Sequence, residues 1–143
     1  MTAAAGAAAA PASPSGPLAS SRTFTSLLGH FEYAVPDAWE QRYTALERVK
    51  PPEYPGAASL TEFLFLPMSG GMPPSLLTIV AYPEATWKHL GSKPAGTVVA
   101  EANGHVLVAV PLASNPFPAG SEDATAIAPM MITAEQVKAG IKA

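Results

Sequence analysis

The sequence predicts an α+β fold: a central antiparallel β-sheet of about six strands covered by helices on both faces. Three observations carry that expectation. Residues 78–91 run from an apolar stretch through Pro83 into a short amphipathic segment closed by Gly91, the pattern of a strand feeding a helix. Asn103-Gly104 lies between two apolar runs and is the dipeptide favoured by a type I′ hairpin turn, which needs positive φ at both positions. Ala124, Ile127, Ala128, Met131, Val137 and Ile141 then recur at near-helical spacing.

The elements follow in order. Residues 1–22 hold nine alanines and three prolines with one charge at their end, Arg22, and read as a disordered tether to a single α+β domain over residues 23–143. The alanine run is too short to hold a helix in water, and Pro11, Pro14 and Pro17 stop its propagation. From His30, Phe31, Tyr33 and Val35 share one face of an alternating segment, a half-buried strand ended by Pro36-Asp37. Residues 42–50 form a more polar strand closed by Pro51-Pro52, suited to a sheet edge. Residues 60–66 and 76–82 are apolar strands joined antiparallel by the turn-rich loop 67–74. Pro83 suits the first position of a helix over 83–90, with Trp87 and Leu90 on its inner face and Gly91 as its stop. The 97–110 hairpin pairs Ala102 with His105, Ala100 with Leu107 and Val98 with Ala109. Both of its faces are apolar, so it belongs at the centre of a sheet covered twice. Pro129 divides the last helical stretch, and Thr133 with Gln136 has capping-box spacing.

Composition excludes several function classes. A net charge of −3 and eight scattered basic residues leave no stripe for nucleic acid or for an anionic membrane surface. No stretch is long and apolar enough to predict a transmembrane segment. The absence of cysteine removes disulfides, thiolate metal sites and thiol catalysis, and leaves the redox compartment open. Residues 1–22 do not read as a signal peptide, since they lack a basic start and a strongly apolar segment.

Three segments together carry a resemblance: Phe31-Glu-Tyr-Ala-Val-Pro-Asp-Ala-Trp39, Thr78-Ile-Val-Ala-Tyr-Pro-Glu-Ala-Thr-Trp87, and Gly104-His-Val-Leu-Val-Ala-Val-Pro with Asn115-Pro116-Phe117. They resemble small exported or lipid-anchored bacterial proteins of unknown function, similar in layout to the PsbP/Mog-like α/β/α sandwich. The resemblance spans most of residues 31–141 and implies a fold and a periplasmic or cell-surface location. It transfers no catalytic residue, because its motifs are packing residues. The chain departs from the pattern at Pro129 and in showing no leader, and a native start at Met1 favours the cytoplasm instead.

Chemistry is sparse. His30, His89 and His105 could meet in space, but their spacing specifies no metal site, and Asp37 and Asp123 stand in no cluster. No serine sits in a nucleophile elbow, and Glu32, Glu62 and Glu101 fall on strands, where a polar face explains them. Met68 and Met72 place two thioethers in one loop, fit for Cu(I) or for an adaptable apolar contact. Tyr54, in Pro51-Pro-Glu-Tyr-Pro55, is a pre-ordered aromatic that either meets a partner or lids the core. Trp39 and Trp87 read as core anchors.

The expected function is a non-catalytic binding or accessory domain whose loops around Tyr54, Met68, Met72 and Phe117 contact a protein partner or a small apolar ligand. No catalytic residue, metal ligand or cofactor is assigned. One alternative is a small hydrolase or metal-dependent enzyme using His30, His89 or His105 with a glutamate, which requires histidines within about 10 Å of one another. The other is a structural or stress-related protein without a dedicated ligand, whose mark is the lack of a concave apolar pocket.

Overall fold

The computed structural model describes residues 19–39, 42–91 and 93–143. The tether expected over residues 1–22 lies outside these as far as residue 18. The strands are β1 (Arg22–Ser26), β2 (Phe31–Val35), β3 (Tyr43–Val49), β4 (Ser59–Phe65), β5 (Ser75–Pro83), β6 (Thr97–Ala102), β7 (His105–Pro111) and β8 (Ile141–Lys142). The helices are α1 (Glu84–Lys88), α2 (Glu122–Ile127) and α3 (Ala134–Gly140), with single 3-10 turns at Asp37–Trp39 and Ala128–Met130.

The fold is α+β and antiparallel, but its strands divide into two sheets where one of about six was expected. Five strands run β3-β4-β5-β7-β6 and three run β1-β2-β8. The second sheet escapes sequence reading for local reasons. Strand β1 starts at Arg22, inside the stretch read as tether, and its alternation spans only five residues. Ser21 anchors that start by donating its N–H and its hydroxyl to Asp37 Oδ1 at 2.8 and 2.9 Å. Ile141 fits helical spacing from Val137, yet the chain turns extended after Gly140 and Ile141 pairs with Tyr33 in β2. A Cβ at Gly140 would lie 3.3 Å from the Tyr33 ring, so the small residue lets the end of α3 rest on β2.

The larger sheet has two unequal faces. Phe63, Phe65, Leu77, Ile79, Ala81, Leu107 and Ala109 point toward the smaller sheet and enclose the main core with Phe31, Tyr33, Val35, Trp39, Ile127, Met130 and Val137. Trp39 is fully buried and its indole Nε1–H donates to the Met130 carbonyl at 2.8 Å, tying the turn after β2 to the turn after α2. Phe24, Tyr33, Trp39 and Tyr43 all approach Phe63 with ring centroids between 5.1 and 6.3 Å. The opposite face holds a smaller cluster of Leu60, Val80, Tyr82, Val106 and Val108, covered by Tyr54, Trp87 and Leu90.

Several expected details change. Strand β3 is an edge, as its polarity suggests, but β6 is the other edge and not central. Asn103 and Gly104 have φ of 56° and 77° as a type I′ turn requires. The pairing then slips at Val98/Ala100, so Val98 faces Val108 and Thr97 faces Ala109. This bulge turns Val99 into the main core. Pro83 is the last residue of β5 and the N-cap of α1, and the helix runs only from Glu84 to Lys88 before His89 ends it. Near Pro129, the 3-10 turn rotates the chain so that Met130 is buried, while Ala128 is exposed and Met131 half-buried. The Thr133/Gln136 capping box forms.

Candidate functional site

The thinly covered face carries the site of interest. Strand β5 ends in Ala-Tyr-Pro, so Tyr82 lies on the smaller cluster's side one residue before the strand ends at Pro83. The five-residue α1 brings Trp87 back over Tyr82, with ring centroids 5.2 Å apart. The proline-rich link between β3 and β4 passes beside α1 at Gly56, whose φ of +91° and 3.0 Å approach to the Thr86 side chain fit glycine alone without strain. Between that link and the chain leaving α1 lies a groove of about 380 Å³, lined by Tyr54, Tyr82, Leu90, Lys93, Pro94 and neighbouring residues.

Its floor and rim are chemically specific. The Tyr82 ring is buried, and its hydroxyl, which reaches the groove, has no hydrogen-bond partner among the described residues. A phenol hydroxyl that opens on a groove without a protein partner leaves a donor and an acceptor for whatever enters. Burial raises the Tyr82 pKa above the ordinary phenol value, and nearby Tyr54 adds to the rise, so the group is neutral and donating at physiological pH. At the rim the Lys93 ammonium lies 4.3 Å from the Trp87 ring centroid and donates to the Trp87 carbonyl.

The other three expected contact residues lie apart from Tyr54, toward the opposite end of β4. Met68 and Met72 are 66% and 90% exposed. Phe117 is half-buried, edge-on to Phe65 at 5.6 Å, and the Arg42 guanidinium caps the Phe65 ring at 5.0 Å. Buried Asp123 organises this end by accepting the Met68 and Ser69 N–H groups at 2.8 and 3.2 Å, with Arg42 at 3.7 Å. Hydrogen bonds from Ser69 and Met68, and then the Arg42 charge, hold its carboxyl below the ordinary carboxylate range. The structure therefore does not bring the four residues into one surface.

Of the histidines, His30 and His105 come together with ring centroids 6.0 Å apart, and His89 bonds to the Ala85 carbonyl within its own helical turn. His30 has φ of 57° and lines an open groove of about 580 Å³ with Ser26, Phe31, Glu32 and Lys142. Behind it Glu47 accepts hydrogen bonds from Ser26 and Thr61, the latter at 2.8 Å. Among the described residues, no three His, Asp or Glu side chains converge as a metal ligand set.

Sequence reading missed Tyr82 and Lys93. Tyr82 ends an apolar run buried on both faces, where alternation marks no functional side. Its signal was a hydroxyl at a strand end beside a proline, and Lys93 carried none. No protein-family model, curated protein or solved structure matches the chain. Among the described residues, no helix is long and apolar enough to cross a membrane.

Proposed function

We propose that the protein is a non-catalytic binding domain, tethered in the bacterial cell envelope, that takes a small apolar ligand in the groove between Tyr54 and Tyr82. The observation that carries this reading is a groove of about 380 Å³ onto which the Tyr82 hydroxyl opens without a protein partner. Volumes of this order suit a one- or two-ring compound, and an apolar lining with a few polar groups is the usual composition of ligand sites. The groove also favours this reading over a purely structural protein. The envelope location rests on the resemblance and the Ala/Pro-rich residues 1–22. The finer PsbP/Mog-like sandwich belongs to the same proposal, supported by α1 on one face of the five-stranded sheet and α3 on the other.

The test is titration with the fluorescent aromatic probe 1-anilinonaphthalene-8-sulfonate under native conditions, with circular dichroism recorded throughout. One saturable site is expected, abolished by Tyr54→Ala and unchanged by Met68→Ala, Met72→Ala or Phe117→Ala. Loss on any of the latter three with Tyr54→Ala silent would move the site to the other end of β4.

A second reading, a hydrolase or metal-dependent enzyme, has one observation in its favour: the 6.0 Å approach of His30 and His105. Zinc titration followed by imidazole NMR resonances tests it. Joint shifts of both histidines would support it, and independent behaviour would remove it.

A further inference from the structure

We infer that the Tyr54–Tyr82 groove is built for a flat aromatic compound carrying an acidic group, with Lys93 as the residue that receives the acid. The inference rests on the ligand-binding reading above and adds the chemical class. Two charged residues line the groove, Glu53 and Lys93. They are in opposite states. Glu53 is committed, held by Arg48 through two hydrogen bonds of 3.1 and 2.7 Å. Those bonds, with the Arg48 charge behind them, lower the Glu53 pKa.

Lys93 has no carboxylate partner, since the two ion pairs among the described residues are Arg42–Asp123 and Arg48–Glu53. Its ammonium is instead positioned by the Trp87 carbonyl and the face of the Trp87 ring, 4.3 Å away. A carbonyl and a π-face fix the location of the cation without neutralising it. An ammonium has three donors, and the carbonyl takes one. The same groove holds the unpartnered Tyr82 hydroxyl, so an incoming carboxylate meets a cation and a neutral phenol donor. Charge-assisted hydrogen bonds are about twice as strong as neutral ones. The remaining lining, Tyr54, Pro55, Leu90, Gly91, Pro94 and Ala95, is uncharged, and the Tyr54 ring offers a face on which a ring can stack. A cationic ligand would meet Lys93 with no free carboxylate to offset it, and a neutral ring would leave the two donors unused.

Calorimetric titration of the full chain with indole-3-acetate and its neutral isostere indole-3-acetamide tests the class. The acid is expected to bind about tenfold more tightly than the amide. Lys93→Gln, at an exposed position, should erase that preference by weakening the acid about tenfold more than the amide, and added salt should weaken the acid more than the amide. Equal binding of acid and amide to the unaltered protein would overturn the acidic class and leave the binding reading standing. Binding of neither compound would overturn both. An acid preference that survives Lys93→Gln would remove Lys93 from the role.

Discussion

The two tryptophans mark the two faces of the five-stranded sheet, and the faces are built differently. Trp39 is fully buried, hydrogen-bonded to Met130 and within about one ring's reach of Tyr33, Tyr43 and Phe63. Trp87 is half-buried on a five-residue helix, against Tyr82 on one side and Lys93 on the other. One face is closed by a second sheet and the C-terminal helices. The other is closed only by α1 and a proline-rich link, and the groove lies where that cover is incomplete. Close packing leaves no room for a ligand, so the proposed binding falls to the face where packing stops short.

The largest effect should come from trading each tryptophan for alanine. Trp39→Ala is expected to cost about 3–5 kcal/mol, since it opens a cavity and leaves the Met130 carbonyl unpaired. Trp87→Ala should cost about 1–2 kcal/mol. Urea denaturation measures both, and equal losses would break the contrast between the faces.

High pH separates two tyrosines in the same way. Burial pushes the Tyr33 phenol far above its ordinary range, further than Tyr82. A raised phenol pKa in the folded state adds stability that is fully present below the unfolded value, about 10, and is lost as pH rises through the folded value. Tyr33→Phe should therefore shift the alkaline unfolding midpoint upward, and Tyr82→Phe should shift it less. Thr133→Ala, which removes the cap of α3, is expected to cost about 1 kcal/mol by thermal melting. Met72→Ala should stay within about 0.5 kcal/mol of the parent, because an exposed thioether has little packing to lose.

How much of this could be read from residues alone follows the same division. Alternation at Phe31, Tyr33 and Val35, the Asn103-Gly104 turn and the Thr133/Gln136 cap are local signals, and each produced the expected element. The second sheet was illegible because β8 is two residues long and continues a helical spacing, while β1 begins in alanine- and proline-rich surroundings. The bulge at Val98/Ala100 puts Val99 in the main core, where β6 meets α3 and β8, a tertiary feature that no dipeptide announces. Tyr54 was legible as a candidate contact because prolines flank it. Its grouping with Met68, Met72 and Phe117 was not legible, since loop composition says nothing about which end of β4 a loop occupies.

Ligand should reach one face of the sheet and not the other, and fluorine NMR of the protein labelled with 5-fluorotryptophan reads both faces at once. With two tryptophans in the chain, titration with indole should shift the Trp87 resonance and leave Trp39 in place. A moving Trp39 beside a still Trp87, or two still signals up to indole's solubility limit, would contradict it.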